Sequence, residues 1–120
     1  ELINDINVYN DIHMAYGDFY CSKGECELAE GYFNWGKYDK SISYMKQSMK
    51  YPDSNVYVYY RIAQAYGMMK RLKDEQEYYQ TFVDKAQKEP DPSPMMKECI
   101  EYAQYRILKI TETLFFQGEQ

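Results

Sequence analysis

Leu28-Ala29-Glu30-Gly31-Tyr32-Phe33-Asn34-Trp35-Gly36-Lys37-Tyr38 and Ile62-Ala63-Gln64-Ala65-Tyr66-Gly67-Met68-Met69-Lys70-Arg71-Leu72 are the two stretches that decide the fold. At an offset of 34 residues Leu28 meets Ile62, Ala29 meets Ala63 and Tyr32 meets Tyr66. The register then continues: Lys37 meets Arg71, Tyr38 meets Leu72, Tyr44 meets Tyr78 and Met49 meets Val83. It passes through one helix-length segment, a tight turn and a second segment without an insertion. Two unrelated helical pairs share apolar stripes by chance, but rarely the same turn and both stripes together.

Working outward, the chain is punctuated at Gly24, Gly36, Tyr51-Pro52-Asp53-Ser54, Lys70-Arg71, Pro90-Asp91-Pro92-Ser93-Pro94 and Gly118. The segments between these breaks have the length of helices rather than strands. Gly24, Gly36 and Gly118 suit the left-handed residue that ends a helix. Ser93 followed by Pro94 suits an N-cap with proline at the first helical position. Apolar residues recur at steps of three and four: Tyr59, Ile62, Ala63, Tyr66 and Met69 in one segment, and Tyr38, Ser41, Ile42, Met45, Ser48 and Met49 in another. Met96, Ile100, Ala103, Ile107, Ile110 and Leu114 form a third stripe, close to a seven-residue repeat. The pattern predicts six antiparallel helices, at 4–22, 25–35, 38–51, 54–69, 72–88 and 94–116, and an all-α fold in a single domain over 1–120.

A helix–turn–helix unit of 34 residues resembles the tetratricopeptide repeat family. Leu28-Ala29-x-x-Tyr32, Gly36-x-Tyr38, Ser41, Met45 and Ser48 follow the family pattern in a first unit over 25–53. Ile62-Ala63-x-x-Tyr66, Lys70-x-Leu72, Glu75, Tyr79 and Phe82 follow it in a second over 55–89. The resemblance implies a right-handed α-α superhelix in which Ala29 and Ser41 let the paired helices approach, with Tyr32 and Tyr66 filling the space above. Three departures carry expectations. Lys70 replaces glycine, so the second turn is expected to differ in local geometry. Glu75 and Phe82 replace small residues, so that helix pair is expected to sit further apart or tilt. Helix 4–22 fits either as a helix B of a truncated unit or, through Tyr16-Gly17-x-x-Tyr20-x-x-x-Gly24, as a degenerate helix A. Helix 94–116 follows a proline-rich break and suits a terminal cap over the last apolar face.

Charge and chemistry narrow the function. With 14 basic against 19 acidic residues the net charge is −5, which argues against nucleic acid as a partner. No apolar run is long enough to insert across a bilayer. Three cysteines, Cys21, Cys26 and Cys99, are too few for a disulfide framework and suit small buried positions. With His13 the sole histidine, no metal site, nucleophile–base pair or glycine-rich nucleotide loop is legible. The run Asp74-Glu75-x-Glu77 suits a solvated helix face. The expectation is a non-enzyme with no cofactor and no metal.

Binding is what remains. In the family that the chain resembles, helix A faces line a concave groove for extended or helical peptides. Carried over by position, that groove holds Lys23, Cys26, Glu27, Glu30, Phe33 and Asn34 in the first unit, then Tyr57, Tyr60, Arg61, Gln64 and Met68 in the second. Tyr, Phe and Met among amides and charges suit protein recognition. Members that clamp a chaperone's C-terminal carboxylate use Lys and Asn where this chain has Cys26, Glu30, Tyr60 and Gln64, and Glu30 would repel a carboxylate. The first reading is therefore a scaffold module that docks a protein or peptide as part of a larger protein. A ligand- or peptide-sensing regulatory domain is the second, and a self-associating unit forming a homo-oligomer the third. Lys, Tyr, Asn and Asp usage points to an AT-rich, bacterial genome, and cytoplasm and cell envelope both fit. Of the 15 tyrosines, Tyr32, Tyr38, Tyr59, Tyr66 and Tyr79 are assigned to internal packing, whereas Tyr57 and Tyr60 are expected to project outward.

Overall fold

The computed structural model describes residues 24–50 and 56–118. The expected helix over 4–22, with His13 and Cys21, lies outside the described residues. Within them the chain is all-helical, with five helices: α1 (Gly24–Trp35), α2 (Tyr38–Ser48), α3 (Tyr57–Met68), α4 (Leu72–Ala86) and α5 (Pro94–Phe116). Each packs on the next, most extensively α1 with α2, α3 with α4 and α4 with α5. Helices α2 and α4 stop a little short of the ends that the sequence pattern indicated, because the backbone tightens there into three-residue closures. Met49 N–H donates to the Lys46 carbonyl and Lys88 N–H to the Lys85 carbonyl, both at 3.3 Å. Gly24 is the first residue of α1, not the terminator of a preceding helix. Gly36 and Gly118 do end helices in the left-handed region, with φ of 87° and 77°. The Ser93 hydroxyl accepts from the Met96 amide at 3.1 Å with Pro94 behind it, so α5 starts as its sequence indicated.

The α1–α2 and α3–α4 turns are near copies of one another. Gly36 N–H donates to the Phe33 carbonyl at 3.0 Å and Lys37 N–H to the Tyr32 carbonyl at 2.8 Å. At the matching positions Lys70 N–H donates to Gly67 at 3.0 Å and Arg71 N–H to Tyr66 at 3.0 Å. Lys37 (φ −92°, ψ 71°) and Arg71 (φ −93°, ψ 81°) then lead into the next helix with the same backbone. Lys70 itself takes φ of 60°. The expected change in local geometry is therefore absent: a lysine adopts the conformation that glycine adopts freely, and the hydrogen-bonded closure of the helix end outweighs the strain.

Inside the hairpins the small-residue logic holds once and is replaced once. Ala29 is fully buried against Ser41, whose hydroxyl donates to the Ala29 carbonyl at 2.7 Å. Glu75 occupies the matching position on α4 and is buried, not part of a solvated face. Room for its carboxyl comes from Gly67, where a Cβ would lie 3.0 Å from Glu75 Cδ and Oε2. The accommodation is thus a missing side chain on α3 that admits the Glu75 head. Met45 and Tyr79, Ser48 and Phe82 are likewise buried at matching positions, with Ile42, Ile62, Ala63 and Val83 completing the core. Leu28 departs from its counterpart: Ile62 is enclosed, while Leu28 is half exposed.

The turn equivalence makes a direct prediction. Lys70→Gly should raise stability by about 0.5–1 kcal/mol by removing left-handed strain, and Gly36→Ala should lower it by about 1 kcal/mol. Urea unfolding followed by circular dichroism reads both, and a loss on Lys70→Gly would contradict the shared turn geometry.

Candidate functional site

The residues singled out on helix A faces come together in the structure, but as a locked cluster rather than an open lining. Arg61 lies in the second turn of α3 and is fully buried. Its guanidinium donates to Glu30 twice, Nε to Oε2 at 2.9 Å and Nη2 to Oε1 at 2.7 Å. Nη1 donates to Gln64 Oε1 at 2.9 Å, and the guanidinium carbon stands 3.7 Å from the centre of the Phe33 ring. One side chain therefore ties α3 to α1 by a forked ion pair, an amide and a ring face. A buried charge needs such satisfaction, and arginine's planar fork supplies it where lysine's single ammonium would not.

Tyr57 and Tyr60, expected to project outward, are buried instead. The Tyr60 ring packs against Tyr79 at 5.5 Å, Phe82 at 5.0 Å and Tyr102 at 6.4 Å. Tyr57 packs against Phe82, and burial raises its hydroxyl pKa. Helix α3 turns both of its faces inward because it sits between α2 and α4, with α5 beyond, which a stripe read on one helix does not reveal. Phe33 is buried as well. Of the eight named positions, Asn34 and Met68 are exposed and Gln64 and Glu30 are partly accessible. The charge on Glu30 is already matched by Arg61, so its effect on an approaching carboxylate is smaller than the sequence implied. Lys23 lies outside the described residues, as do the side chains of Cys26 and Glu27.

A second buried ion pair escapes the reading of single helix faces. Arg106 on α5 donates to Glu75 through Nε at 2.8 Å and Nη2 at 3.0 Å, and hydrogen bonding to Glu75 raises the Arg106 pKa further. Both ion pairs span 31 residues in sequence, an acid followed by an arginine nearly one repeat later. That spacing was the available signal. Beside this pair, Gln76 Nε2 donates to Thr111 Oγ1 at 2.7 Å, and Lys70, Arg71, Leu72, Lys73, Asp74, Leu114 and Gln117 line a shallow recess of about 310 Å³. The end of α5 thus lies beside the α3–α4 turn.

Repeated aromatic pairs run along the hairpins. Tyr32 stacks on Tyr44 at 5.7 Å, and Tyr66 packs on Tyr78 at 5.5 Å, the same pair one repeat later. Lys46 bridges the units, its ammonium donating to the Tyr66 hydroxyl at 3.0 Å; that hydrogen bond, more than any other contact, raises the Lys46 pKa. Cys99 is buried, and desolvation pushes its thiol up to about 12, which keeps it protonated and unreactive as a nucleophile at neutral pH. No group of three or more His, Cys, Asp or Glu side chains that could hold a metal ion occurs among the described residues.

The cluster changes what a mutation at Glu30 means. Glu30→Lys should cost about 3–5 kcal/mol, because it sets a second cation against a buried guanidinium. Urea unfolding of that variant measures the loss; near-native stability would show that the Arg61 pairing contributes nothing. Compared with family models, curated proteins and solved structures, the chain matches none.

Proposed function

We propose that this chain is a short tetratricopeptide-like repeat module, built as a right-handed α-α superhelix, that docks a protein or peptide and performs no chemistry of its own. The observation that carries this reading is the return of one turn geometry and one tyrosine pair after 34 residues: Gly36 and Lys70 in the left-handed region, Tyr32–Tyr44 and Tyr66–Tyr78 in contact. Repeated units that share a core lay their equivalent helices side by side and so create an extended recognition face.

The surface that the burial pattern supports is narrower than the one inferred from sequence. Asn34, Gln64 and Met68 form its accessible part, set on the rigid Glu30–Arg61 pair. A methionine beside two amides suits an extended peptide, with an adaptable apolar contact and backbone-directed hydrogen bonds. Peptides selected from a random display library against the full chain should bind with micromolar affinity by calorimetry, and Met68→Asp with Asn34→Arg should weaken binding about tenfold or more. Selection of no peptide, with a thermal shift from a metabolite panel, would favour a small-molecule sensing domain instead.

Self-association has one observation of its own. Tyr105 and Leu108 lie exposed one turn apart on the outer side of α5. Light scattering that shows a concentration-dependent dimer, abolished by Leu108→Asp, would favour that reading over peptide docking.

A further inference from the structure

The most exposed apolar side chains of the described residues gather at one edge of the protein. Trp35 ends α1, Met68 ends α3, and Phe115 and Phe116 end α5, with relative exposures of 71%, 58%, 62% and 85%. These three helix ends lie on the same side. The tight turns at Gly36 and Lys70 reverse the chain into α2 and α4. Arg61 on α3 reaches both Glu30 and Phe33 on α1, so α1 and α3 run in the same sense. The recess shared by Lys70 to Asp74 with Leu114 and Gln117 sets the end of α5 beside the α3–α4 turn.

The same edge is cationic although the chain is acidic overall. Lys37, Lys40, Lys70, Arg71 and Lys73 lie in the two turns and the first turns of α2 and α4, and all are exposed. Against them stand Asp39 and Asp74, and Asp74 is held by Arg71 at 2.7 Å. Glu112, one turn before Phe115, is met by Lys109 at 3.7 Å. Cations therefore outnumber acids around the exposed rings.

We propose that this edge seats the protein on an anionic lipid surface, with Trp35, Met68, Phe115 and Phe116 entering the headgroup layer and the turn lysines and Arg71 meeting the lipid charge. The apolar groups are tips of three separate helices and do not form one continuous packed face. A protein interface centres on a contiguous, close-packed core, which these tips do not offer. A headgroup layer accepts separate tips at any spacing, and tryptophan with phenylalanine beside lysine is the side-chain chemistry that partitions there. Nucleic acid is disfavoured because the rings are already engaged: Trp35 stacks on Tyr32 with Lys37 over its ring, and Phe115 packs edge-to-face on Phe116. The contact is peripheral, since no helix of the described residues is long and apolar enough to cross a membrane. It uses a different surface from the peptide face around Gln64 and does not depend on it.

Trp35 is the sole tryptophan and reports on its own insertion. The test titrates the full chain with vesicles of phosphatidylcholine containing about one-third phosphatidylserine, following tryptophan emission and co-sedimentation. The expected result is a blue shift with co-sedimentation, weakened about tenfold by raising salt severalfold and by either Lys70→Glu with Lys73→Glu or Phe115→Ser with Phe116→Ser. These side chains are exposed, so circular dichroism should show unchanged helix content in both variants. No shift on the anionic vesicles, an equal shift on pure phosphatidylcholine, or binding unaffected by both double variants would overturn the proposal. A shift produced only by an oligonucleotide or an acidic polypeptide, with none on vesicles, would overturn it equally.

Discussion

The fold turns on a carboxylate in a place built for a small side chain. Helices that close into a tight hairpin need small residues at their crossing, and Ala29 with Ser41 meets that need by a direct hydrogen bond. In the second hairpin Glu75 stands where Ser41 stands, and its carboxylate is buried. An ionised carboxylate out of water is costly unless it is paired and hydrogen-bonded. Gly67 on α3 supplies the space, and Arg106 on α5 supplies the charge. The position of the fifth helix therefore follows from an electrostatic requirement created in the second hairpin, as well as from the apolar stripe of Met96, Cys99, Ala103 and Ile110.

The Arg61 cluster repeats this principle on the opposite side of the core. A guanidinium with no exposure to solvent is tolerated because Glu30, Gln64 and Phe33 satisfy it from two helices at once. Such a pair adds little net stability over a well-packed apolar alternative, but breaking it is expensive, so it fixes which arrangement of α1 and α3 is allowed. The two pairs together pin α1 to α3 and α4 to α5 in one relative placement. That rigidity leaves the accessible chemistry of the molecule at its margins: an amide and methionine patch beside Arg61, and the helix ends at Trp35, Met68, Phe115 and Phe116.

Much of this was legible in the sequence. The all-α class, the helices from residue 24 onward to within a few residues, the Ser93–Pro94 start of α5 and the burial of its stripe all follow from periodicity and capping chemistry, which are local. The candidate site was less legible, for physical reasons that particular residues show. Tyr57 and Tyr60 lie off the repeat's inward stripe, yet α3 is enclosed on several sides, and burial by distant helices leaves no mark on one helix's period. Glu75 reads as solvated because it sits in an acidic run; only the third dimension brings Arg106 to it. Lys70 reads as a change of turn, yet the hydrogen bonds to Gly67 and Tyr66 carry the lysine into the glycine conformation.

The most direct test of this account is a stability cycle on the buried pair. Arg106→Leu alone should destabilise by about 3 kcal/mol, since it leaves the Glu75 carboxylate buried and unpaired. Glu75→Ser alone should cost less, because the Arg106 side chain is 28% exposed and can reach water. The double variant, which restores at position 75 the residue type found at 41, should recover most of the loss and approach the parent in urea unfolding. Losses that simply add in the double variant would contradict the dependence of the fifth helix on Glu75.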